Sequence, residues 1–165
     1  MAVIELTRSN EDRRLYELGP LGSLRLEGFW ARRATATSAG VTWRIGRVGV
    51  FGRAIQCVGA GGALVGEFAP RSIRRGGELH WSGRTFELRP ASNWRERYAL
   101  AAGDVEVAVF EGKGWGKRPV KVDIARPEAI EPGLLLFTAF VVRGLAEDAS
   151  SAAGATAAAT TASTS

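Results

Sequence analysis

Between Glu131 and Leu145 the chain reads EPGLLLFTAFVVRGL, and nine consecutive residues, Leu134 to Val142, carry no charge and one polar side chain, Thr138. A helix drawn through this run has no face suited to water, and a helix that is apolar all round must be enclosed. Pro132 stands where a first helical turn tolerates a missing N–H, and Arg143 lies towards the negative end of the helix dipole, so the boundaries read as a helix over about 131–146. Crossing a bilayer takes about 20 apolar residues, roughly twice what is available before Arg143 interrupts the run. The helix therefore needs a protein shell, and the rest of the chain has to supply it.

The residues before it read as that shell. Short apolar alternations broken by Gly, Pro or charged turns recur from the N-terminus to Ile124, the pattern of an all-β sandwich or barrel. Strands are expected at Ala2 to Leu6, Arg14 to Leu18, Ser23 to Phe29, Thr35 to Ser38, Val41 to Arg47, Ala54 to Val58, Ala63 to Phe68, Glu78 to Trp81, Arg84 to Arg89, Arg97 to Ala101, Asp104 to Phe110 and Val120 to Ile124. Within them Leu24 and Leu26 should face the core, Val41, Trp43 and Ile45 should share one face, and so should Val105, Val107 and Val109. Trp43 reads as a packing residue. About a dozen strands are too many for one flat sheet, and closing them into an antiparallel barrel removes the exposed edges. A barrel of that size has a lumen to fill, and the apolar helix fills it.

Composition agrees with a single domain over 1–146. Glycine, at 21 of 165 residues, implies many tight turns, and Glu147 to Ser165 collapses into Ala, Ser, Thr and Gly, with nothing large to bury, so 147–165 is expected to be a disordered tail. The net charge is +5, with Arg outnumbering Lys 19 to 3. Guanidinium suits phosphate, yet an Ala, Gly and Arg excess is also what a GC-rich genome yields. Cys57 is the only cysteine, which excludes an internal disulfide, and it reads as a small core residue in a reducing compartment. The N-terminus has no basic start or apolar stretch of a secretory signal, so a cytoplasmic location is expected, with peripheral membrane contact as its extension.

Little in the chain reads as catalytic. His80 is the only histidine, no Ser or Cys nucleophile with an orienting acid is readable beside it, and no metal site or cofactor is expected. The run from Gly59 to Gly66 lacks the Gly-Lys-Ser/Thr ending of a phosphate loop and reads as a turn between strands. Two basic segments remain. Arg71, Arg74 and Arg75 lie beside Gly76-Gly77, and Lys113, Lys117, Arg118 and Lys121 surround Trp115 in GKGWGKRPVK. Basic charge with an aromatic suits a phospholipid headgroup or a nucleic-acid backbone. A solvated hairpin with Trp115 folded back on the barrel rim accounts for the same residues.

The order of elements, with Phe86 to Arg89 followed by Trp94, then Tyr98 to Glu111 and above all Pro132 to Leu145, resembles the tubby C-terminal-like superfamily. The LURP-one-related and phospholipid scramblase-like branch is the most similar. The resemblance covers about residues 1–146 and implies a closed twelve-stranded barrel around a hydrophobic C-terminal helix. It also implies a non-enzymatic binding or scaffold module that contacts an anionic membrane surface or a phosphoinositide-like headgroup. An acidic calcium loop of the scramblase kind is missing, because Glu147 and Asp148 are followed by Ala and Ser. The rival readings are a nucleic-acid-binding or regulatory barrel and a small-molecule carrier; the carrier reading suffers from a lumen already filled by the helix.

Overall fold

The computed structural model describes residues 2–28, 31–49, 53–71 and 75–162, with side chains through residue 154. Twelve strands follow one another: β1 (Ala2–Arg8), β2 (Leu15–Leu18), β3 (Gly22–Glu27), β4 (Arg33–Ser38), β5 (Val41–Val48), β6 (Ala54–Gly59), β7 (Leu64–Pro70), β8 (Gly77–Trp81), β9 (Arg84–Pro90), β10 (Arg97–Ala102), β11 (Val105–Gly112) and β12 (Val120–Ile124). Each pairs antiparallel with its neighbours in sequence, and β1 against β12 closes the barrel, with Ile4 opposite Val122. This is the expected closed barrel. Closure leaves no edge strand to template association.

Alternation sets which side chains enter the lumen. Leu24 and Leu26 on β3, Ile55 and Cys57 on β6, Phe86 and Leu88 on β9, and Val120, Val122 and Ile124 on β12 are buried at every second position. Of the face expected for Val41, Trp43 and Ile45, only Ile45 is fully buried, because Val41 stands at the barrel end. The face expected for Val105, Val107 and Val109 is broken. A register shift between Leu100 and Ala101 leaves Val107 without a partner on β10, so Val107 and Ala108 are both buried and the inward phase continues through Phe110. An extra residue in one strand of a pair reverses the pleat beyond it.

After β12 the chain crosses beneath the barrel. Ala125 N and Arg126 N both donate to Val107 O, a 3₁₀ turn spans Pro127–Ala129, and helix α1 (Pro132–Ala162) then rises through the lumen. Leu134, Leu136, Phe137, Val141 and Val142 are buried on all sides of it. Thr138 is tolerated there because its hydroxyl donates to Leu134 O at 2.8 Å, which satisfies the one polar group of the run. At the helix start Trp81 Nε1 donates to Glu131 Oε2 at 3.1 Å, and Trp43 and Trp81 lie 6.0 Å apart. A Cβ on Gly133 would fall 2.6 Å from Trp81 and 3.0 Å from Trp43, so only glycine lets the first turn enter between the two indoles.

The helix does not end near residue 146. It continues to Ala162, so 147–162 is helical rather than disordered, while residues 163–165 lie outside the described residues. Alanine is the best helix former and a preformed helix only has to be extended, which outweighs the lack of anything to bury. Arg143 is therefore not at a helix terminus. It sits mid-helix, buried, with its Nη2 2.6 Å from Glu147 Oε1 and its guanidinium over Tyr16.

Candidate functional site

A meander barrel sends alternate connections to opposite ends, and here the two ends differ. Where the helix starts, the strands are joined by turns of two to four residues; where it leaves, by loops of five to seven. We call these the turn rim and the loop rim. Among the described residues the loops of the loop rim carry ten basic side chains (Arg13, Arg14, Arg32, Arg53, Arg71, Arg75, Arg95, Lys113, Lys117 and Arg118) against three acidic ones, Glu11, Asp12 and Glu96. The turn rim, with the connection from β12 to α1, carries Arg126 against Asp104, Glu128 and Glu131. The molecule is electrically polarised along the helix axis, and its basic end carries the longer loops.

Strand order places four of these loops side by side: 71–76, 91–96, 113–119 and 9–14. Specific bonds tie each loop to the next or to the strand end beside it. Arg75 Nη1 is 2.6 Å from Glu96 Oε1, Arg95 Nη1 is 3.8 Å from Glu111, and Arg8 N donates to Lys117 O at 2.8 Å. Glu96 also accepts from the Tyr98 hydroxyl, whose pKa is raised by burial and by the adjacent carboxylate, so the phenol remains a donor. Along this arc stand two indoles facing solvent, Trp94 at 94 % and Trp115 at 78 % exposure. Trp115 does not fold back on the rim.

The expected site residues divide. Lys113, Trp115 and Lys117 share loop 113–119 of the arc, and neither lysine has an ion pair among the described residues. Arg118 is beside them but reaches Glu5 at 3.2 Å. Lys121 is on β12, on the outer wall between Glu5 and Glu111, and does not join the loop cluster. Arg71 and Arg75 share the rim but are engaged by Glu87 and Glu96; Arg74 lies outside the described residues. What the sequence did not reveal is the company of Lys117. With Arg8, Ser9, Asn10 and Arg13 it lines a hollow of about 260 Å³, and none of its three cations has an ion pair among the described residues. Arg8 and Arg13 lie about a hundred residues away in the chain, and no local pattern joins them to Lys117.

His80 also has more company than the sequence showed. Its Nε2 lies 2.7 Å from Glu78 and its Nδ1 3.1 Å from Thr85 Oγ1, on the outer wall of β8 and β9. The row has an acid, a base and a hydroxyl in order, and all three side chains are exposed on the outer wall. Among the described residues no group of three or more His, Cys, Asp or Glu side chains is placed to hold a metal, and no helix is long and apolar enough to cross a membrane. No protein-family model matches the chain, and no curated protein or solved structure matches it at a significant level.

Proposed function

We propose that this barrel is a non-enzymatic binding or scaffold module of the tubby-like, LURP-one-related type, whose loop rim rests on an anionic phospholipid surface. The meander barrel closed around a C-terminal helix supports the family reading. The observation that carries the membrane reading is the arc itself, with two exposed indoles on adjacent loops and, around Trp115, the cations Lys113, Lys117, Arg8 and Arg13 without an ion pair among the described residues. Each basic side chain near an anionic bilayer contributes about 1 kcal/mol, and tryptophan settles at the headgroup level. The hollow of Arg8, Arg13 and Lys117 suits one phosphate group of such a surface.

Co-sedimentation with phosphatidylserine vesicles at low and high salt tests this. Binding at low salt that weakens with salt is expected, together with its loss in Lys117→Glu, Arg118→Glu and an unchanged melting curve, because exposed loop charges rarely govern stability. Wild-type protein that ignores the vesicles at low salt overturns the reading. Binding that an oligonucleotide competes away would assign the rim to nucleic acid instead.

A further inference from the structure

The wall of the barrel beside the emerging helix contains a second feature, which shares only Arg71 with the arc of loops. Between β5, β6, β7 and α1 lies a cleft of about 380 Å³. Its floor is apolar, formed by Ile55, Phe68, Val141 and Leu145, and its mouth is ringed by Arg47, Arg53 and Arg71 with a single acid, Asp148. The volume falls in the range of small-molecule pockets, and three guanidinium groups over an apolar floor make a surface with two chemistries.

We propose that this cleft binds a phosphate-headed amphiphile, its phosphate among Arg47, Arg53 and Arg71 and its short apolar part against the floor. Two of the three arginines have bonding capacity to spare, while Arg71, already held by Glu87, borders the mouth. Arg53 has no hydrogen bond or ion pair among the described residues. Arg47 reaches Asp148 only at 3.4 Å, and its Nε is buried with no acceptor among the described residues, so its hydrogen-bonding capacity is far from met there. Asp148, exposed on the helix turn just above the floor, is the internal anion among these cations, and an incoming phosphate competes with it. This goes beyond the membrane reading: the ligand is a single molecule, and Arg47, Arg53 and Asp148 are not part of the arc of Trp94 and Trp115.

Titration calorimetry of the full chain with octyl phosphate below its micellar concentration, with inorganic phosphate and octanol as controls, tests the assignment. One octyl phosphate per chain is expected, bound at least about tenfold more tightly than inorganic phosphate. Arg53→Glu should weaken that binding about tenfold and Asp148→Asn should strengthen it, both changes being at exposed side chains. The proposal is overturned if octyl phosphate fails to bind, if inorganic phosphate binds equally well, or if neither variant alters the affinity. The two readings fail separately. Lys117→Glu, Arg118→Glu should keep octyl phosphate while losing vesicles, and loss of both ligands in that variant also counts against a separate cleft.

Discussion

Cys57 lies inside the barrel wall between Ile45 and Gly66, and burial pushes its thiol up to about 12. The thiolate is the reactive form, so native protein at about pH 8 is expected to resist iodoacetamide while the urea-unfolded chain is alkylated. Labelling of native protein at the unfolded rate would place the thiol at the surface. Glu87 is the opposite case. The hydrogen bond from Arg89 foremost, with Arg71 adding to it, holds its carboxyl below the ordinary value of 4.5 against the opposing effect of burial. A carboxylate whose pKa is lowered on folding adds stability above its unfolded pKa and loses it as pH falls through the folded one. In urea melts the difference between the wild-type protein and Glu87→Gln should therefore persist at neutral pH and shrink in acid below the ordinary carboxylate range. A difference that grows in acid would show that the arginines do not stabilise the charged form.

At the scale of elements, the helix and the barrel each require the other. Leu136 is fully buried, and Leu136→Asp would place an unpaired charge in the lumen at a cost of several kcal/mol. That variant should be insoluble or lack a cooperative melting transition; a soluble monomer with an intact transition would show that the helix does not fill the lumen. The twelve strands were legible because each one faces apolar lumen on one side and water on the other, so alternation survives in the sequence at Leu24, Leu26, Phe86 and Leu88. The bulge at Leu100 and Ala101 was not legible, because Val105, Val107 and Val109 alternate in sequence whether or not the partner strand skips a residue. The length of α1 was misread for a different reason: an Ala-rich segment with nothing to bury looks like a coil until a helix already formed beside it is extended. The candidate site was legible only where its residues are close in sequence. Trp115 and its lysines could be found that way; the meeting of Arg8 with Lys117, or of Arg47 and Arg53 with Asp148, depends on the barrel closing.

For the whole molecule, the separation of charge between the rims predicts an orientation. Charge reversal at the turn rim, Asp104→Lys with Glu128→Lys, should leave vesicle binding unchanged at low salt, whereas reversal at Lys117 and Arg118 should abolish it. Vesicle binding that the turn-rim reversal strengthens as much as the loop-rim reversal weakens it would mean that net charge alone drives association and that the rim has no special role.

The pairing of β1 with β12 has a consequence in time. The two strands lie at opposite ends of the sheet sequence, and the segment that fills the lumen follows both of them. A ribosome therefore delivers every lumen-facing side chain before it delivers Leu134 to Val142, so the nascent strands must wait with their apolar faces uncovered. Vectorial synthesis cannot complete this fold piece by piece; closure waits for the C-terminal helix and follows as one late, long-range event.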